Sequence, residues 1–87
     1  MPNEDATLRE LHKGFLEEHA RRKQTGIFGT RKADEALMAM CEYWKSNTLR
    51  VSDRTKQELL KELNAMDLLP YRAYCREHLL DIGITNV

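Results

Sequence analysis

Apolar residues recur every three to four positions along the chain, which is the spacing of one face of an α-helix. The first such stripe lies within residues 7–24, and its members are Leu8, Leu11, Phe15 and His19. Thr7 and Glu10 have the spacing of a capping box, in which the two side chains bond free backbone N–H groups of the first turn. We therefore predict a helix over 7–24 with Thr7 as its N-cap.

The second periodic segment, 30–46, has a wide apolar face. Thr30 is a good N-cap, and two acidic residues follow it near the positive end of the helix dipole. At 100° per residue the apolar side chains cover roughly 160° of the circumference. They are Ala33, Ala36, Leu37, Met40, Cys41, Tyr43 and Trp44. Such a helix either is surrounded by the other helices or also contacts a partner. We predict a homo-oligomer with Met38, Met40 or Trp44 at its interface.

Two further helices are predicted over 52–67 and 70–82. Ser52 or Asp53 can cap the third helix, and a capping box from Thr55 to Glu58 is the alternative start. Pro70 suits the first position of the fourth helix, whose apolar side includes Tyr71. Gly83 suits a left-handed residue after the end of this helix, and Ile84 suits the apolar contact that accompanies it. No segment alternates as a β-strand would. The sequence therefore predicts an all-α fold, a compact four-helix domain with short loops that spans residues 1–87.

Composition narrows the functional classes. The 87 residues carry 14 basic and 14 acidic side chains, and this balance is unlike that of a generic nucleic-acid binder. No apolar run is long enough for a membrane span, and the acidic, polar N-terminus is unlike a signal peptide. The two cysteines, Cys41 and Cys75, lack the spacing of a zinc site. We expect reduced thiols, a cytoplasmic location, and no membrane, metal or cofactor.

Catalytic chemistry has little support in the sequence. His12 and His19 lie seven residues apart, a spacing that does not clamp a metal ion, so we interpret both as histidines at the edge of the core. Cys75 and His78 share a helix face, but that face is apolar, where a thiol is usually inert. No nucleophile, phosphate-loop or dinucleotide motif occurs. We expect a protein that is not an enzyme.

Nucleic-acid recognition by a helix-turn-helix is a weak alternative. A turn at Val51 and Ser52 would place Lys56 where an apolar residue must pack inward, and a buried, unpaired lysine is costly. In a second arrangement, Arg72 and Arg76 lie on an outer face of the fourth helix next to Tyr71 and Tyr74, where they could touch phosphates. Glu77 and an aspartate share that helix and oppose such contacts.

The most unusual stretch is the basic segment between the first two helices. Ile27 and Phe28 lie between two glycines and are surrounded by five cations and no acid. These cations are Arg21, Arg22, Lys23, Arg31 and Lys32. One interpretation is an anion site at the start of the second helix, and the other is an apolar protein contact with a cationic rim. Ile27 and Phe28 either are exposed or fold back onto the core.

The contact interpretation is favoured because Ile27 and Phe28 add bulk where a phosphate loop needs close backbone approach. Aromatic anchors with arginines at the rim are typical of protein interfaces. The sequence therefore predicts a small intracellular regulator of the inhibitor, antirepressor or adaptor type. Its partner is another protein, for which a DNA-binding regulator is one candidate. The alternative is a module that binds nucleic acid or nucleotide phosphate through residues 21–32.

Overall fold

The computed structural model describes residues 3–25 and 30–87, with the side chains of 23–25 and 30 excepted. Its elements are α1 (Glu4–Thr25), α2 (Thr30–Ser46), α3 (Asp53–Asn64), a 3-10 turn (Leu69–Tyr71) and α4 (Arg72–Asp81). No strand occurs within these ranges, so the predicted all-α four-helix fold is confirmed. None of the described helices combines the length and the hydropathy needed to cross a membrane.

Helix α1 begins one turn earlier than predicted. The Asn3 side chain accepts the backbone N–H of Ala6 at 2.8 Å, and the Asn3 carbonyl accepts the N–H of Thr7 at 3.1 Å. The predicted capping box of Thr7 and Glu10 is therefore wrong, because Asn3 is the residue that caps the helix. Glu4 and Asp5 then occupy the first turn, where acidic side chains favour the positive end of the dipole.

The later helix ends are fixed by local hydrogen bonds. Ser52 caps α3 as predicted, since its hydroxyl accepts the N–H of Thr55 at 3.3 Å. α3 ends at Asn64 instead of residue 67, because the Asp67 carboxylate accepts the N–H of Leu69 and stabilises a turn in place of another helical turn. That turn allows Leu68 to enter the core.

The C-terminus of α4 is a Schellman motif, the ending predicted from Gly83 and Ile84. The N–H of Ile84 bonds the carbonyl of Leu79 at 2.9 Å, and the N–H of Gly83 bonds that of Leu80 at 3.1 Å. Gly83 has a φ of 105°, and Ile84 is fully buried. The motif therefore folds the C-terminal segment back onto the core.

Helices α1 and α2 pack along each other in opposite directions, as their end-to-end ion pairs show. Arg22 near the end of α1 lies 4.0 Å from Asp34, and Glu4 at its start lies 3.9 Å from Arg50. α4 packs mainly on α2, and α3 contacts α1. The fully buried side chains of the core come from all four helices and include Leu8, Phe15, Leu37, Met40, Leu63, Tyr71, Cys75 and Leu79.

The wide apolar face of α2 is accounted for within one chain. Met40 is fully buried and Trp44 is 4% exposed, while Met38 is half-buried against the same core. α2 is thus contacted by α1 on one side and by α4 on another. The breadth of the face therefore no longer supports an oligomer interface at these three residues, and the oligomeric state stays a prediction.

A second polar junction ties α1 to α3. The Asp5 carboxylate accepts the N–H of Ser52 at 2.8 Å, the Ser52 hydroxyl at 2.6 Å and the Thr55 hydroxyl at 3.0 Å. These hydrogen bonds from Ser52 lower the pKa of Asp5. One turn further, Arg9 forms an ion pair with Glu58 at 2.6 Å. The start of α1 therefore helps to cap α3.

We expect Gly83→Ala to lower the free energy of unfolding by about 1–2 kcal/mol, because an L-residue is strained at this positive φ. The matched control is Gly14→Ala in α1, where an added Cβ has no contact within 4 Å. There alanine should raise stability by roughly 0.5–1 kcal/mol. Urea titration of both variants measures the two changes in the free energy of unfolding, which should have opposite signs. Changes of the same sign and size would contradict the role assigned to Gly83.

Candidate protein-binding surface

The predicted partner-binding residues fall at the end of the molecule where α1 ends and α2 begins. We call this the loop end. Ile27 and Phe28 lie outside the described residues, as does the side chain of Lys23. The other four predicted cations, Arg21, Arg22, Arg31 and Lys32, are described. Three of them are exposed, and Arg22 is not.

Two of the exposed cations are paired with carboxylates on their own helix. Arg21 contacts Glu18 at 3.1 Å, and Arg31 contacts Glu35 at 3.4 Å. The Arg31–Glu35 pair explains how a cation is accommodated at the start of α2, where the helix dipole alone would oppose it. Lys32 forms no ion pair with any other described residue. The loop end therefore carries less free positive charge than the sequence suggests.

Arg22 belongs to the interior more than to the surface. Its side chain is 17% exposed, its guanidinium carbon lies 4.7 Å from the centroid of the Tyr71 ring, and Nη1 is 4.0 Å from Asp34 Oδ1. Burial raises the pKa of Asp34, and the nearby Arg22 opposes that shift. Little of the Arg22 side chain is accessible to a partner, although the sequence predicted it as one of the exposed cations around the protein contact.

Tyr71 is the centre of this buried polar cluster. The residue has no exposed surface, and its hydroxyl is hydrogen-bonded to Nδ1 of His19 at 2.5 Å. Phe15 packs edge-on against its ring, with centroids 5.3 Å apart. Periodicity identified Tyr71 only as an apolar position. The contact with His19 could have been predicted, because a buried tyrosine needs a polar partner for its hydroxyl and His19 is the polar residue at the end of the apolar stripe of α1.

The start of α4 extends the loop end because Tyr71 is anchored there. Tyr74 on its outer face is 63% exposed, and Leu69 in the preceding 3-10 turn is 57% exposed. A shallow groove on the same face includes Arg72, Tyr74 and Arg76 among its lining residues. The predicted outer face of Arg72, Arg76 and Tyr74 is confirmed, whereas Tyr71, predicted beside them, is buried. The exposure of Leu69 was not predicted, because periodicity gives no signal for exposed apolar residues. The surface thus combines apolar, aromatic and cationic side chains.

The thiols are poorly suited to nucleophilic chemistry. Both cysteines are free and buried, and burial raises the pKa of Cys41 to about 12 and that of Cys75 to about 11. His78 is half-buried, and its Nδ1 lies 3.1 Å from Lys45 Nζ. Within the described part of the chain, no group of three or more His, Cys, Asp and Glu side chains is placed to hold a metal ion.

Known proteins give no guide to the use of this surface. The chain matches no protein-family model, no curated protein and no solved structure. The functional argument therefore depends on the residues and contacts described above.

We expect Tyr71→Phe to lower the free energy of unfolding by about 1 kcal/mol, the net value of a typical buried hydrogen bond. The aromatic ring and its contacts remain, so helicity should be unchanged. Tyr74→Phe removes the same hydroxyl from an exposed ring and should change stability by less than about 0.5 kcal/mol. Paired urea titrations test the difference; equal losses would show that the Tyr71 hydroxyl contributes nothing specific.

A second titratable group, His12, is 5% exposed and faces Glu62, with Nε2 3.4 Å from a carboxylate oxygen. Burial holds the pKa of His12 below its ordinary value of 6.5, and Glu62 raises it in part. The unfolded chain therefore binds a proton at His12 more readily than the folded chain does. Stability from this group is present above pH 6.5 and is lost as pH falls toward the folded pKa.

We expect the free energy of unfolding to decrease as the pH is lowered from about 7.5 to about 5. The decrease should be smaller in His12→Gln, which has no group that titrates at this position. Glu62→Gln should enlarge the fall, because loss of the carboxylate lowers the pKa of His12 further. Urea titrations across this range measure all three proteins. A wild-type curve identical to that of His12→Gln would contradict the assignment.

Proposed function

We propose that this chain is a small regulatory protein that acts by binding another protein through the loop end and the adjoining outer face of α4. The observation that carries the proposal is the exposure of Tyr74 in a groove with Arg72 and Arg76, preceded by the exposed Leu69 of the 3-10 turn. Tyrosine and arginine are enriched where protein interfaces concentrate their binding energy. Apolar anchors with a polar, charged rim have the composition of such an interface.

The pairing of the loop-end cations supports a protein partner over nucleic acid. A phosphate group would have to compete with Glu18 for Arg21 and with Glu35 for Arg31. Phosphate binding depends on free cations, which explains its steep salt dependence. Nucleic-acid or nucleotide-phosphate binding remains the second candidate, and it rests on Lys32 together with the arginines of α4.

The proposed mode of action is occupancy of a partner surface, as an inhibitor, antirepressor or adaptor. Buried thiols with raised pKa values support this assignment over catalysis by cysteine. We further propose that the protein acts in the cytoplasm, because both cysteines are free and such thiols are typical of reducing compartments. A DNA-binding regulator is one partner of the expected kind.

The test is capture of the partner from extracts of the native cell with tagged wild-type protein and variants, followed by binding kinetics with the purified partner. Ile27→Ser with Phe28→Ser, and separately Leu69→Ser with Tyr74→Ser, should each abolish capture while circular dichroism stays helical. Changing Arg21, Arg31 and Lys32 to Gln should mainly slow association and weaken its salt dependence.

The matched control is Leu16→Ser, which alters a leucine that is 37% exposed on α1, outside the loop end, and should retain the partner. Unfolding of the Ile27 and Phe28 variant would assign that pair to the core. Full affinity in both double variants would contradict the proposed surface. Fluorescence anisotropy with a DNA duplex should show no binding even at low salt, and binding that collapses with added salt would support the second candidate instead.

A further inference from the structure

The turn between α2 and α3 presents one fully exposed leucine. Leu49 is 98% exposed, although its neighbour Val51 is buried. The turn is held by the N–H groups of Arg50 and Val51, which bond the Asn47 carbonyl at 2.9 and 3.0 Å. Lys56 Nζ also donates to the carbonyl of Thr48 at 2.7 Å. A side chain on a turn fixed in this way loses little freedom on binding, which favours its use as an anchor.

A groove of about 410 Å³ opens beside this turn. Trp44, Leu60 and Ile82 contribute its apolar lining, and Thr48, the residue before Leu49, lines it as well. The remaining wall residues are polar and come from the end of α2, the start of α3 and the end of α4: they are Lys45, Asp53, Lys56, Gln57 and Asp81. An exposed apolar anchor and a groove with an apolar floor and polar walls are thus adjacent on one surface. We call it the turn end.

We propose that two copies of the chain pair at their turn ends about a two-fold axis, each inserting Leu49 into the partner's groove. A surface that carries both an anchor and a groove can satisfy both in one symmetric contact, because a two-fold dimer uses the same patch on each copy. Trp44 then lies at the floor of the contact, whereas Met40 stays in the core of its own chain.

Charge at the turn end selects a second copy as the occupant. Arg50, next to the anchor, has a 74% exposed side chain and only a loose contact to Glu4 at 3.9 Å. Asp81, on the α4 wall, is 59% exposed and lies 3.4 Å from Lys45. The remaining wall charges neutralise each other, since Lys56 and Asp53 lie 3.4 Å apart. In the dimer, Arg50 of each copy meets Asp81 of the other, and the zero formal net charge of the chain adds no general repulsion.

Sedimentation velocity from about 10 µM to about 1 mM should show a monomer–dimer equilibrium for the wild-type protein. Leu49→Ser should weaken dimerisation about tenfold per contact and thus about a hundredfold in the symmetric dimer. Gln57→Trp, an exposed change that fills the groove, should have the same effect. Leu69→Ser removes another exposed leucine, at the loop end, and should leave dimerisation unchanged.

A charge exchange tests the pairing without dependence on folding. Arg50→Asp alone and Asp81→Arg alone should each be monomeric, because every dimer would then contain two like-charged contacts. An equal mixture of the two variants should dimerise again, since both contacts regain opposite charges. A monomeric wild type at the highest concentration, or a dimer unaffected by Leu49→Ser, would overturn the proposal, as would a mixture that stays monomeric.

Discussion

Burial of Tyr71 is the constraint on which the arrangement of the helices depends. A phenol ring excluded from water needs both apolar contacts for its faces and edges and a polar partner for its hydroxyl. Phe15 and Arg22 contact the ring, and His19 is hydrogen-bonded to the hydroxyl. All three residues belong to α1. Because Tyr71 directly precedes α4, these contacts fix where α4 begins. Once it is fixed there, Cys75 one turn later reaches the carbonyl of Asp34 in α2.

The same cluster changes the chemistry of the loop end. Because it stacks on Tyr71, Arg22 is largely buried, and the carboxylate of Asp34 that faces it is largely buried as well. The remaining exposed cations are partly neutralised by Glu18 and Glu35. A surface with part of its positive charge already neutralised gains less from phosphate and relatively more from apolar contact. The packing of one tyrosine thus alters which kind of partner the adjoining surface suits.

Sequence periodicity predicted the helices and most of their buried faces well, because burial of one side of a helix places apolar residues every three to four positions, and one exception does not obscure that pattern. Ser52 and Gly83 were also readable, since their roles depend on local backbone geometry. Asn3 was missed because the apolar stripe begins only at Leu8, so the polar turn before it has no periodic signal. The contacts of Arg22 join residues far apart in sequence, and neither composition nor spacing encodes them. The exposure of Leu49 could not be predicted either, because the sequence alone does not show whether a leucine in a turn is buried or exposed.

The two ends of the molecule differ in a way that bears on how regulation would work. The loop end and the turn end lie at opposite ends of the antiparallel α1–α2 pair, as the ion pairs Arg22–Asp34 and Glu4–Arg50 mark. The proposed pairing through the turn ends would therefore leave both loop ends free. Two identical sites held on one particle favour a partner that is itself symmetric, because the second contact forms at a high effective concentration. In the proposed dimer a weak single contact would suffice for tight regulation, and dissociation of that dimer would release the proposed partner without any change at the loop end itself.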